Sequence, residues 1–299
     1  MKAAVIGIGS NSVRMLLAQI DGRHARKLMR DREGTRLFAG LDEQRNLSME
    51  SMRTTVNAVE RMAREARDMG ADAVHLFATS ATRDAANSDV LADMLRSTGL
   101  ELEVISGEEE AELSFCGATD GGHCGVIDIG GGSTEFTLGD GWHVLGAVSL
   151  QMGAVRMNAQ TPILTTEDYE ATVERCMNII RRDAQALLAC PPRRHWVGVG
   201  GTMTTLGAMQ RGVPLFDANL CEGMIMTRQD VCAWGRKLAR LPMAERRQIM
   251  GLMPHRADII PSGVAILEAA MRSFSMQELA LSAHGNMDGY LKKKFQEMY

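Results

Sequence analysis

The sequence predicts an α/β protein built as two similar lobes with a cleft between them. Three observations carry this. The start of the chain reads as a strand, a glycine loop and a second strand, and the same pattern returns at residue 125. Placing Gly7 on Asp128, an offset of 121 residues, sets Val5, Ile6, Ile8, Gly9, Ser12 and Leu17 on identical residues at 126, 127, 129, 130, 133 and 138. Helical patterns follow both copies, and 299 residues exceed what one core usually organises. A repeat this long duplicates whole lobes and does not stack into a solenoid. Ligands of such folds favour the crevice at the strand ends.

The elements follow in order. AAVIG and SVRMLLAQI, within 3 to 20, predict two strands around the first glycine turn, and Asp21-Gly22 signals a hairpin into a third. Met52, Val56, Val59, Ala63 and Ala66 recur at helical spacing and predict a helix over 48–69, closed by Gly70. AVHLFAT (73–79) reads as a buried strand, 84–98 as a helix ending at Gly99, and LELEVI (100–105) as a strand. A helix begins at the acidic run Glu108, Glu109, Glu110. The small, glycine-rich GATDGGHCG (117–125) marks the junction, giving lobes of 1–120 and 121–299. GVIDI, TEFTL and a Gly-Asp-Gly turn restart the programme. A long helix spans 165–190, capped by Thr165 with Asp168 three residues on. HWVGVGG (195–201) is a strand into a helix from about Met203. A helix over 261–273, a strand ELALS (278–282) and a last helix from about 286, packing back on the first lobe, complete the chain.

Composition narrows the function. Net charge is −4, so no global basic field recruits nucleic acid, and an anionic ligand needs a local pocket. The six cysteines form neither CxxC pairs nor a zinc spacing, and read as reduced thiols of a cytoplasmic protein. The first residues are too short in apolar length for a signal peptide, and no run of 18 apolar residues predicts a membrane span. The 22 methionines read as core filling.

Three glycine loops, each ending an apolar strand, can turn backbone N–H groups toward an anion: Gly7 to Ser12, Gly130 to Thr134 and Gly200 to Thr202. They supply Gly9, Ser10, Asn11, Ser12, Gly130, Gly131, Gly132, Ser133, Thr134, Gly200, Gly201 and Thr202 as candidate phosphate-binding residues, with turn capping as the alternative for the hydroxyls. Neither the dinucleotide fingerprint nor a P-loop is present. Asp128 stands at a strand end beside the second loop, with Glu135 beyond it; such acids can hold Mg²⁺. The glutamates 108 to 110 fit a solvated first turn favoured by the helix dipole. Arg83 is delivered by a strand to the same edge.

Six stretches in order, GSNSVR, TSATRDAAN, ISGEEEA, VIDIGGGSTE, GVGGT and RADIIPSGVAIL, resemble the exopolyphosphatase/guanosine pentaphosphate phosphatase family over nearly the whole chain. The resemblance implies two ribonuclease H-like lobes of the actin-like ATPase and sugar-kinase superfamily, and the short form without a C-terminal His-Asp domain. It implies Mg²⁺-dependent hydrolysis of a terminal phosphoryl group from inorganic polyphosphate or guanosine pentaphosphate. Glu110 would be the general base, Asp128 and Glu135 would organise metal and water, and Arg83 would bind phosphate. A homodimer is expected only because symmetric dimers are common. Two departures stand out. The family usually has an acid where this chain has Gly7, and its closing motif resembles SDRGLREG where residues 282–289 read SAHGNMDG, with Ala283 and Met287 in place of an acid and an arginine. They raise a second reading, a binding or regulatory protein that has lost turnover. A sugar kinase would need an acceptor-binding insertion, which is not seen.

Overall fold

The computed structural model describes residues 1–22, 24–119, 122–140 and 143–296, with Gln296 described by its backbone alone. Two mixed sheets carry the chain. The first runs β3-β2-β1-β4-β5, from β1 (Lys2–Ile8), β2 (Val13–Asp21), β3 (His24–Glu33), β4 (Ala73–Ala78) and β5 (Leu102–Val104). The second runs β10-β11-β9-β6-β7-β8, from β6 (Cys124–Ile129), β7 (Thr134–Asp140), β8 (His143–Leu150), β9 (His195–Val199), β10 (Ile225–Thr227) and β11 (Glu278–Leu281). Each is an antiparallel three-strand meander extended by parallel strands on the far side of its first strand. The repeat is therefore a repeat of topology, and the short β10 adds one antiparallel edge to the second copy.

Thirteen helices complete the described chain: α1 (Met49–Asp68), α2 (Ser80–Asp84), α3 (Ser88–Arg96), α4 (Gly107–Ala118), α5 (Ala154–Gln160), α6 (Thr166–Asp183), α7 (Gln185–Leu188), α8 (Gly201–Arg211), α9 (Ala218–Cys221), α10 (Arg228–Arg240), α11 (Met243–Arg246), α12 (Ile260–Ser273) and α13 (Asn286–Gln296). Local signals explain the best of them. Ser48 caps α1 and Ser106 caps α4, each hydroxyl accepting an N–H of the first turn; Thr165 caps α6 in the capping box read from the sequence.

The helix expected over 84–98 starts only at Ser88, as α3, because the amide oxygen and nitrogen of Asn87 bond the backbone of Leu47, at 2.8 and 3.0 Å, and hold the chain out of helix up to that point; the short α2 before it had no sequence expectation. The helix over 165–190 breaks at Ala184 (φ −115°) into α6 and α7. Helix α5 and the elements α9 to α11 with β10 had no sequence expectation. Asp120 and Gly121 of the junction, and Gly141 of the Gly-Asp-Gly turn, lie outside the described residues.

One core lies under each sheet. Helices α1 and α3 cover the first with Met52, Val59, Met62, Leu91 and Leu95; α6, α8, α10 and α12 cover the second around Tyr169, Ile180, Leu206, Leu238 and Leu267. The other faces of the two sheets look toward the α4–α13 pair. Helix α4 crosses β6, β7 and β8, whereas α13 packs Met287, Tyr290, Leu291 and Phe295 onto Val5, Leu16 and Phe77 of the first sheet. Phe77 and Tyr290 stack at 5.0 Å. These two helices join the lobes, and the cleft opens beside them.

Candidate active site

Strand pairing builds the site. In the second sheet Val199, Asp128, Glu135 and Ser149 are cross-strand neighbours on β9, β6, β7 and β8, so their side chains share one face. Helix α4 lies across this row. Ser114 donates to Asp128 Oδ2 at 2.6 Å, and Ser149 donates to Glu135 Oε1 at 2.6 Å. Each carboxylate thus has one oxygen oriented by a serine, and Glu135 Oε2 is buried with no partner. One turn before Ser114, Glu110 is 6% exposed while Glu108 is exposed. The expectation of a solvated first turn holds for Glu108 and fails for Glu110, which shares a helix face with Leu113, Ser114 and Gly117.

Three buried acids meet here, and burial raises all of them. Burial first, then the Asp128 charge, brings Glu110 up to about 7, against the pull of Arg83. Burial raises Asp128, and burial followed by Glu110 and Asp128 holds Glu135 well above the carboxylate range. Arg83 comes from α2 in the first lobe. Its Nη1 donates to the Ile105 carbonyl at 3.0 Å and lies 3.4 Å from Glu110 Oε2, while its Nη2 is buried without a partner. The structure therefore brings together Glu110, Arg83, Asp128 and Glu135.

The duplicated row of the first sheet has opposite chemistry. There Phe77, Gly7, Arg14 and Arg32 are neighbours, with Gly7 at the offset from Asp128 and Arg14 at the offset from Glu135. Arg14 is near enough to pull the Glu110 and Asp128 values down. Burial and Arg14 lower Arg32 to about 10; burial, Arg32 and Arg14 lower Arg256 to about 9. Arg256 is 5% exposed, and its Nε has no partner. A buried guanidinium beside two half-buried ones, all repelling one another, is arranged for an anion from outside. Sequence reasoning missed Arg256, which stands in RADIIPSGVAIL four residues before α12 begins.

The glycine loops meet between the lobes. Gly9 N–H bonds Ser12 O at 3.0 Å, and Gly130 N–H bonds Ser133 O at 3.0 Å, so the copied sequences close the same turn. A β-carbon on Gly131 would stand 2.8 Å from Ser10 Cβ, so only glycine allows this approach. Ser10 and Ser80 hydroxyls share a bond of 2.8 Å, and both amide atoms of Asn11 are buried without partners. Ser133 is buried beside Glu135. In the third loop Gly200 has φ +94°, and a β-carbon there would lie 2.6 Å from Asp128 Oδ1; Gly201 opens α8, and the buried Thr202 hydroxyl has no partner. Two hydroxyls are committed elsewhere: Thr134 donates to the Met152 carbonyl, and Ser12 accepts from Arg32 Nε at 3.3 Å.

Among the described residues no group of three acids, cysteines or histidines has metal-binding geometry. Asp128 and Glu135 form a pair, each with an oxygen beyond its serine bond. Two carboxylates completed by phosphate oxygens and water is a donor set Mg²⁺ takes. No described helix is long and apolar enough to cross a membrane.

Comparison with known proteins identifies the family and the fold. The model of the Ppx/GppA phosphatase family matches residues 16–297. The chain is 32% identical over 310 residues to exopolyphosphatase 2 of Mycobacterium tuberculosis, covering 96% of this chain and 97% of that one. It is 28% identical over 305 residues to the guanosine-5'-triphosphate,3'-diphosphate pyrophosphatase of Photobacterium profundum, covering 99% of this chain and 59% of that one. A crystal structure of an exopolyphosphatase-like protein superposes over all of both chains with a TM-score of 0.91 at 27% identity. The two-lobed α/β architecture expected from the sequence is that of these relatives.

Proposed function

Because this chain belongs to the Ppx/GppA phosphatase family, we propose that it hydrolyses the terminal phosphoanhydride of inorganic polyphosphate or guanosine pentaphosphate. The observation that carries the reading is Glu110: a buried carboxyl raised to about 7, beside Arg83 and facing the Asp128–Glu135 row. A base near neutrality can accept a proton from water at working pH. Water oxygen adds to the terminal phosphorus, its proton passes to Glu110, and the bridging P–O bond breaks with its electrons on the shortened chain. The unpartnered Nη2 of Arg83 and the loop N–H groups face the charge that spreads over the phosphoryl oxygens. Arg14, Arg32 and Arg256 receive the following phosphates.

Asp128 and Glu135 would hold Mg²⁺, which supplies positive charge to the phosphate oxygens. Ser114 and Ser149 fix the orientation of those two carboxylates.

The test is phosphate release from polyphosphate and from guanosine pentaphosphate with Mg²⁺. Wild type is expected to turn over, and Glu110→Gln to lose roughly 10²–10⁴-fold, the usual worth of a positioned base. Equal slow release by both proteins would refute the route through Glu110. Tight binding of either substrate without release would favour the regulatory reading instead.

A further inference from the structure

Arg156, on α5 of the second lobe, makes three contacts with three separate pieces of the cleft. Its Nε donates to the Gly132 carbonyl of the second glycine loop at 2.6 Å. Its Nη2 donates to Asp84 of the first lobe. Its guanidinium carbon stands 4.7 Å over the ring of Phe38, also of the first lobe. The Arg156 and Asp84 side chains are 17% and 9% exposed, so water and salt screen the pair little. Phe38 also packs against Ala154, Val155 and Ile259, and its N–H bonds Ser10 O at 2.9 Å.

Asp84 is the last residue of α2. This helix has five residues, and Thr79 before it makes no capping side-chain bond. A single helical turn is not stable alone, so tertiary contacts must set its position. It carries two cleft groups besides Asp84: Ser80, bonded to Ser10, and Arg83. Arg83 bonds the Ile105 carbonyl within the first lobe at 3.0 Å and Glu110 at 3.4 Å, whereas Asp84 ties α2 to the second lobe through Arg156.

We infer that Arg156 is a positioning residue: it fastens α2 of the first lobe to the phosphate loop of the second, so that Arg83 takes its place only when the lobes are closed. Lobe separation pulls Asp84 from Arg156 and carries Arg83 away from the Asp128–Glu135 row of the second sheet. Arg156 itself is bonded to none of Glu110, Asp128 and Glu135, and acts through α2. The inference rests on the hydrolytic reading for its kinetic arm only.

The experiment compares Arg156→Ala, Arg156→Lys, Asp84→Asn and the double Arg156→Ala/Asp84→Asn with wild type, by phosphate-release kinetics per folded molecule and by hydrogen exchange at residues 80–84. Each single variant is expected to lower kcat roughly 10- to 100-fold, the scale of an ångström-sized misplacement, with KM changed less than about threefold. Lysine keeps the charge but lacks the fork that serves Gly132 and Asp84 together, so it does not restore kcat. The double variant is expected to be no worse than the poorer single, and α2 amides to exchange at least about tenfold faster in all variants. Unchanged kcat in Arg156→Ala, or losses that add in the double, would overturn the inference while hydrolysis stands. If wild type does not hydrolyse, exchange at 80–84 decides alone: faster exchange upholds the tie, and unchanged exchange refutes it.

Discussion

A β-carbon on Gly7 would lie 3.6 Å from Met287 Cγ and 3.1 Å from Phe77 Cζ. The family pattern has an acid at the first of these positions and an arginine at the second. Read along the chain, Gly7 and Met287 are two separate losses, 280 residues apart. In the fold they are neighbours, where an acid and an arginine would form one ion pair and a methionine now fills the space. The loss at Gly7 is therefore matched by the loss of the arginine at Met287.

Gly7→Asp is thus expected to damage the protein. It would set a carboxylate against Phe77 and Met287 without the arginine of the closing motif; its cross-strand neighbour Arg14 limits the penalty, leaving a cost of about 1–3 kcal/mol in urea unfolding. Adding Met287→Arg is expected to recover most of that loss. Neither change should raise Mg²⁺-dependent phosphate release; a tenfold gain from Gly7→Asp alone would show that the missing acid limits turnover after all.

Glu110 gives a pH signature. Its folded value of about 7 lies above an unfolded glutamate near 4.3, and Asp128 and Glu135 are raised too, burial leading in each case. The folded state then binds more protons than the unfolded one over that interval, so stability falls as pH rises from about 4.5 to about 7. Below the unfolded values both states are protonated and the penalty vanishes. In metal-free buffer, Glu110→Gln should gain on wild type in melting temperature as pH rises through this window. A variant-minus-wild-type difference that is flat from pH 4 to 8 would contradict it.

How much was legible follows from what each feature depends on. Strand-end acids and glycine loops are local, so Asp128, Glu135 and all three loops could be read from their own neighbourhoods. The opposite charge of the two rows was half legible: the offset already places Gly7 on Asp128, and the next step, Arg14 on Glu135, was there to be read. Arg256 was not legible, because it lies in a short turn (Pro254–Arg256) with no periodicity, and only packing against Gly201 brings it to the third loop. Asn87 shows the reverse case. A helical pattern runs through it from residue 84, and a side-chain bond to Leu47, 40 residues away, delays the helix start to Ser88.

Arg256 separates stability from binding. A buried guanidinium facing Arg32 and Arg14 is costly to the empty fold, so Arg256→Met should leave urea stability unchanged or raise it by about 1 kcal/mol. The same variant should raise KM for polyphosphate roughly 10- to 100-fold, the loss of one charge-assisted phosphate contact. Lower stability with unchanged KM would make Arg256 a structural residue.

Asp288 fastens α13 to the first sheet. It is 5% exposed and accepts from Arg30 Nη2 at 2.7 and 2.8 Å and from Gly285 N–H at 3.2 Å, with Lys27 Nζ at 2.7 Å. Burial alone would push its carboxyl up, but the His284 bond and the Arg30 and Lys27 charges outweigh it and hold the group well below the usual carboxylate range. The folded pKa is below the unfolded one, so this stabilisation is complete above an unfolded aspartate value near 3.9 and is lost as pH falls below it. Arg30 and Lys27 are more than a third exposed, which limits Asp288→Asn to a cost of about 1–3 kcal/mol at pH 7. The deficit against wild type in urea midpoint should be constant from pH 7 to 5 and shrink below about pH 4, as wild type protonates. If the deficit instead persists undiminished to pH 2, the carboxylate charge is not what holds α13 in place.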